Sequence, residues 1–237
     1  MTPERLSHYR LLAPLGAGGM GVVYRAHDER LERDVALKLL NAESLADPAL
    51  RERFRRTALA VARITHPRVG TVFDFGSDQG QDFLVMELVP GESLAARLAR
   101  GPLPTAEATA IATQIAEALE ASHELGIVHR DLKPANVMVS ARGQVKVLDF
   151  ELARLLEAGA DVTRSTSGVV RGSPAYMAPE QILGAPVDAR ADLWALGVIM
   201  HEMVTGRPPF AGANIATLAL AITQQPAPPP AGAPPAL

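Results

Sequence analysis

The sequence predicts an α+β fold in two parts, a small β-rich lobe with one main helix and then a larger, mostly helical lobe. Three observations carry this expectation. Short β-branched and aromatic runs crowd the stretch before residue 90. Pro90-Gly91 then interrupts the chain. Beyond it, apolar residues recur mainly at helical spacing.

The elements follow in order. The runs at 9–15, 22–27, 34–40, 71–75 and 83–88 read as strands. A helix is expected over 48–64, with Asp47 as N-cap and Pro48 in the first helical position. Its apolar residues Leu50, Phe54, Ala58, Val61 and Ile64 share one stripe. A hinge is placed near 87–91. Helices are then expected at 92–99 and 105–125, the second with Ile111, Ile115, Ala118 and Leu119 on one face. Short strands follow at 137–139 and 145–148, a polar loop at about 150–175, and helices at 191–204 and about 213–223. Six of the 19 prolines fall in residues 226–237. Proline-rich chain favours an extended conformation without ladder hydrogen bonds, so 225–237 reads as a linker or a cut end.

Composition narrows the function classes. Of the 237 residues, 48% are apolar and 21% charged, the balance of a globular chain. A net charge of -3 gives no basic footprint for nucleic acid. The absence of cysteine removes disulfides, thiolate metal sites and cysteine nucleophiles together. No run of about 18 apolar residues suggests a membrane span. The start Met1-Thr2-Pro3-Glu4-Arg5 lacks the pattern of a signal peptide. A cytoplasmic location is therefore expected, with a membrane tether beyond residue 237 left open. Nothing in the sequence speaks to oligomeric state.

Three strings carry chemistry. Gly16-Ala17-Gly18-Gly19-Met20-Gly21 fits G-x-G-x-x-G, but Val22-Val23-Tyr24 follows and favours a strand over the helix that a dinucleotide fingerprint needs. A glycine loop between strands can lie over phosphates, or can be a plain hairpin. Lys38 closes Val35-Ala36-Leu37-Lys38. Strand alternation puts Ala36 and Lys38 on one face, which suits a purine beside a phosphate. The bland alternative is a solvated lysine on a sheet edge. The third string is His129-Arg130-Asp131-Leu132-Lys133-Pro134-Ala135-Asn136, with Asp149-Phe150 following Val147-Leu148. Two carboxylates and an amide offer hard oxygen ligands for a divalent metal. A remaining carboxylate can accept a hydroxyl proton. The bland alternative is a charged turn between a helix and a hairpin.

Together these strings resemble the catalytic domain of a eukaryotic-type serine/threonine protein kinase of the bacterial kind. The resemblance covers roughly residues 8–224. It also takes in Ala178-Pro179-Glu180, Asp192-Leu193-Trp194-Ala195-Leu196-Gly197 and Gly206-Arg207-Pro208-Pro209-Phe210. It implies a bilobal kinase-like fold, with an N-lobe at about 8–86 and a C-lobe at about 92–224. It implies ATP and Mg²⁺ as cofactors and a protein substrate carrying Ser or Thr.

By the same resemblance, Leu15, Gly16, Ala17, Gly18, Gly19, Met20 and Gly21 would cover the nucleotide. Val23, Ala36 and Met138 would sandwich the adenine, and the backbone of Glu87 and Val89 would bond its edge. Lys38 would contact the α- and β-phosphates. Asp131 would orient the substrate hydroxyl and take its proton, and Lys133 would neutralise charge on the moving phosphoryl group. Asn136 and Asp149 would hold magnesium. Arg130 would meet a phosphate on the loop at about 149–180, where Thr163, Ser165, Thr166 and Ser167 are candidates. Ser173 takes the place of a family threonine near Asp131. The remaining histidines, His8, His27, His66, His123 and His201, show no paired metal spacing and read as structural or exposed.

Three departures from the family pattern stand out. Thr57 replaces the helix glutamate expected to pair with Lys38, and Glu52 lies too far around the helix to substitute. Asp149-Phe150-Glu151 replaces Asp-Phe-Gly, and Glu151 is a candidate partner for Lys38. The helical lobe reads as cut short, leaving Glu180 without its family arginine. These departures define the alternative, a pseudokinase that binds nucleotide or scaffolds. A small-molecule kinase of the aminoglycoside phosphotransferase type shares H-x-D-x-x-x-x-N but usually lacks Ala-Pro-Glu.

Overall fold

The computed structural model describes residues 4–18, 21–41, 47–150 and 174–230. Among these, 4–65 and 70–89 form one compact unit, and 66–69, 90–150 and 174–230 form a second.

The first unit is a six-stranded antiparallel sheet. Its strands are β1 (Arg5–Leu6), β2 (Tyr9–Gly18), β3 (Gly21–Asp28), β4 (Arg33–Leu40), β5 (Val72–Asp78) and β6 (Gln81–Glu87). The order is β1-β2-β3-β4-β6-β5. Leu6, Tyr9, Ala26, Val35, Leu37, Phe83 and Val85 make one buried layer. Helix α1 (Pro48–Val61) starts as its sequence dictates: the Asp47 side chain accepts from the Ala49 N–H, and Pro48 occupies the first turn. It buries Phe54, Ala58 and Val61, with the Phe54 ring 5.5 Å from Phe75. The helix stops at Val61, three residues short of the sequence expectation, and Ile64 is buried from the turn that follows.

The second unit holds a small sheet of β7 (Glu92–Ser93), β8 (Val137–Val139) and β9 (Val145–Val147), in that order. Here the expectation of a helix over 92–99 is corrected. Glu92 and Ser93 pair with Val139 and Met138, and α2 (Leu94–Leu98) begins only where the Ser93 hydroxyl accepts from the Ala96 N–H. The capping serine ends a strand and starts a helix at once, which periodicity cannot resolve. Helix α3 (Thr105–His123) packs on α5 (Arg190–Thr205); α3 buries Ile111, Ile115, Ala118 and Leu119, and α5 buries Ala195, Ile199 and Met203. Between them comes the short α4 (Pro179–Ile182). Gly206, at φ 78°, ends α5 in a left-handed cap. Helix α6 (Ile215–Gln224) is capped by Asn214 and packs Ala221 and Ile222 against Phe210, which stacks on Trp194. Residues 66–69 also belong to this unit. Val69 bridges Val147 in parallel, and the Arg68 carbonyl accepts from the Val147 N–H at 2.7 Å.

Among the described residues, no helix is long and apolar enough to cross a membrane.

Candidate active site

In the first unit, register places the predicted nucleotide residues. Val23 on β3, Lys38 on β4 and Leu84 on β6 are direct cross-strand partners, and Ala36 pairs with Met86. Directly opposed residues in an antiparallel sheet point to the same side. Val23, Ala36 and Lys38 therefore share a face. β4 lies inside the sheet, and Lys38 is only 6% exposed. The reading of Lys38 as a solvated edge lysine is thereby overturned.

The two glycines at the ends of the motif do different jobs. Gly21 sits at φ 142°, and a Cβ there would collide with the Leu39 carbonyl. Its identity is fixed by packing against β4. Gly16 has open space where a side chain would be. Among the described residues nothing comes within 4 Å of that point, so packing does not require a glycine there. Leu15 falls in the bulge between Pro14 and Gly16 and is 52% exposed. Ala17 pairs with Val22, and Gly18 with Gly21. The Glu87 N–H is committed to the Thr71 carbonyl at 2.9 Å, which leaves Val89 as the candidate donor to a base edge.

Thr57 is partly buried on α1. Glu52 is held by Arg55 at 2.9 Å and Arg56 at 3.0 Å on its own helix. Hydrogen bonds from those arginines lower its pKa to about 2. Its charge is spent on the helix surface. Gly19, Met20, Glu151, Thr163, Ser165, Thr166, Ser167 and Ser173 lie outside the described residues.

In the second unit, the predicted catalytic string converges. The Lys133 ammonium donates to Asp131 Oδ2 at 2.6 Å. Asn136 Nδ2 donates to the Asp131 carbonyl at 2.9 Å and approaches Oδ2 at 3.4 Å. The Leu148 N–H bonds the Asn136 carbonyl at 2.8 Å, joining the strand before Asp149 to the turn that carries Asn136. Met138 on β8 pairs with Lys146 of β9. His129 is fully buried. Its Nε2 donates to the Leu148 carbonyl at 2.9 Å while Nδ1 accepts from the Asp131 N–H at 3.3 Å, a pairing that one neutral tautomer satisfies. The Phe150 ring, 1% exposed, lies 4.6 Å from the His129 ring.

The support that sequence reasoning missed is Asp192. It is 1% exposed, near the start of α5. Oδ1 accepts from the Arg130 N–H and Oδ2 from the His129 N–H, both at 2.8 Å. His123 Nε2 lies 2.7 Å from Oδ2. A buried carboxylate with three such partners replaces its lost hydration with directed bonds. It also offsets a local strain at Arg130, which adopts φ 67°; Asp149, at φ 60°, is left-handed as well. Left-handed backbone at a non-glycine residue costs on the order of 1–3 kcal/mol. The available signal was the string Asp192-Leu193-Trp194-Ala195-Leu196-Gly197, which entered the resemblance without a role for its acid. Glu180 makes no ion pair among the described residues. Tyr176 donates to Glu202 at 2.7 Å, and burial raises the pKa of both groups. Both line a cavity of about 370 Å³ with Lys133 and Pro134.

Asn136 Oδ1 accepts no hydrogen bond among the described residues, since its amide nitrogen is the end turned to Asp131. An amide oxygen and the Asp149 carboxylate suit magnesium, which takes its other ligands from phosphate and water. Among the described residues, no cluster of three His, Cys, Asp or Glu side chains offers an all-protein metal cage.

Comparison with known proteins agrees with this arrangement. Residues 9–228 match the family model described as a protein kinase domain. The serine/threonine-protein kinase pkn2 of Myxococcus xanthus is 46% identical over 218 residues, covering 90% of this chain and 26% of the relative. PknA of Mycobacterium tuberculosis is 42% identical over 227 residues, covering 93% and 52% respectively. The chain thus spans about a quarter to a half of the length of these relatives. A crystal structure of the Mycobacterium tuberculosis PknI kinase domain aligns with a TM-score of 0.71 at 32% identity, over 87% of this chain and 77% of that one. The ordered motifs, the loop built around Asp131 and these likenesses together place the chain in the protein kinase domain family.

Proposed function

We propose that this chain transfers the γ-phosphoryl group of ATP to a serine or threonine hydroxyl of a protein substrate. The observation that carries the reading is the Asp131 carboxylate, 20% exposed, with Lys133 on Oδ2 and the backbone before it clamped to Asp192. Phosphoryl transfer asks a protein for positioning and charge stabilisation more than for covalent chemistry. Asp131 Oδ1 accepts the substrate hydroxyl and its proton. Lys133 holds Asp131 and neutralises charge on the moving phosphoryl group. Gly16, Ala17, Gly18, Gly19, Met20 and Gly21 cover the phosphates, with Leu15, Val23, Ala36 and Met138 against the adenine and the backbone of Glu87 and Val89 on its edge. Lys38 contacts the α- and β-phosphates. Asn136 and Asp149 would hold magnesium, which supplies charge neutralisation at the phosphate oxygens.

The catalytic domain is assigned to residues 8–224, with 225–237 as a Pro-rich linker or a cut end. A phosphate on Ser165, Thr166 or Ser167 would pair with Arg130 and switch activity on. ATP as substrate implies action in the cytoplasm. The scaffold alternative draws no support from pkn2 and PknA, both of which carry the names of serine/threonine kinases. The test is transfer of radiolabelled phosphate from ATP to a generic basic protein. Wild type should label it on serine or threonine, and Asp131→Asn should not. Labelling no greater than that of Asp131→Asn would return the chain to the scaffold reading.

A further inference from the structure

We infer that Gln181 is a positioning residue for Asp131, acting through the carbonyl of Arg130. The inference rests on the kinase reading above and adds a residue to its machinery. Gln181 lies on α4, immediately after Ala178-Pro179-Glu180. Its Nε2 donates to the Arg130 carbonyl at 2.8 Å, and its Oε1 accepts from the Ala178 N–H at 2.9 Å. One side-chain amide thus ties the start of α4 to the catalytic loop, 51 residues earlier. Both ends are used in the orientation that the two partners require, a carbonyl needing a donor and an N–H an acceptor.

The position of the first bond gives it its meaning. The Arg130 carbonyl belongs to the peptide unit that leads into Asp131. The Arg130 N–H belongs to the unit before, and Asp192 fixes that one at 2.8 Å. Arg130 itself sits at φ 67°, a conformation that relaxes unless both flanking peptides are held. Asp192 holds one and Gln181 the other. The direction in which Asp131 leaves the loop depends on both. The space around them is closely filled: Arg130, Asp131, Gln181, Ala191 and Asp192 line a void of only about 10 Å³.

Any displacement of the Ala178–Gln181 segment therefore pulls on the peptide next to the proton acceptor. Gln181 makes the placement of Asp131 conditional on the placement of that segment.

Two near-isosteric variants test this. Gln181→Met removes both bonds. Gln181→Glu keeps the acceptor for Ala178 but sets a carboxylate oxygen against the Arg130 carbonyl, and protonation of that carboxyl restores a donor. Both should lower kcat at pH 8 by about tenfold, the scale of a buried carbonyl left without its donor, with the KM for ATP unchanged. The ratio of Gln181→Glu to wild-type kcat should climb as pH falls from 8 to 5.5, while the ratio for Gln181→Met stays flat. In amide hydrogen exchange, which needs no activity, Gln181→Met should speed exchange at 129–133 and leave β8 and β9 unchanged. Wild-type kcat in Gln181→Met, a pH-flat ratio for Gln181→Glu, or unchanged exchange at 129–133 would overturn the inference. Wild type that labels no more than Asp131→Asn overturns the kinase reading instead, and the exchange result then decides the role of Gln181 by itself.

Discussion

The strand ends that carry Gly16, Gly18 and Gly21 and the loop from His129 to Asn136 both belong to the candidate site, yet they are held in opposite ways. The glycine strand ends are held by main-chain ladders: Gly16 pairs with Val23, Gly18 with Gly21, and Gly21 with Leu40. The catalytic loop is held from outside by side chains. Asp192 reaches it from 62 and 63 residues away and Gln181 from 51. Ladder bonds are made by the main chain, so they hold these positions without any side chain. A loop clamped by buried side chains keeps one geometry, which suits proton acceptance at a fixed distance.

The sharpest way to break this contrast is Asp192→Ala. It leaves the His129 and Arg130 N–H groups and His123 without their acceptor in a buried place. Removing one partner of such a buried network costs on the order of 3–5 kcal/mol. Urea unfolding should show a loss of that size. A loss under about 1 kcal/mol would mean that the loop holds itself.

Gly21→Ala probes the other region. The added methyl meets the Leu39 carbonyl at a φ that resists side chains. A destabilisation of about 2 kcal/mol is expected by thermal melting. An unchanged melting temperature would show that the β3–β4 approach is loose.

The smallest effect is expected at Glu202, where burial raises the carboxyl pKa against the opposing hydrogen bond from Tyr176. A raised folded pKa means that stability is fully present below the unfolded value, about 4.3, and lost as pH rises through the folded value. Glu202→Gln keeps an acceptor for Tyr176. It should raise the melting temperature at neutral pH, and the gain should vanish as the pH drops through the carboxylate range. A gain of constant size across that range would assign the effect to packing.

The same contrast explains what the sequence made legible. Strand runs, the glycine motif and the Asp47-Pro48 helix start depend on neighbours in the chain, and they were readable from it. The face shared by Val23, Ala36 and Lys38 followed from alternation, although the depth of Lys38 did not, because burial of β4 depends on β3 and β6 lying on either side. Asp131, Lys133, Asn136 and Asp149 were readable as a motif. What holds them was not: Asp192 stood in a family string without a role, Gln181 looked like an ordinary helix residue, and both act at long sequence distance. Glu92 and Ser93 were misread as helix for the same reason: their strand partner lies on β8.

Measuring ATP affinity and kcat together for Gly16→Ala and Asp131→Asn tests the central claim most directly. Gly16 has room for a methyl, so Gly16→Ala should melt like wild type. It should bind ATP several-fold more weakly and keep its kcat at saturating ATP. Asp131→Asn should bind ATP as wild type does and transfer nothing measurable. Turnover by Asp131→Asn at the wild-type rate, or unaltered ATP affinity in Gly16→Ala, would contradict the account.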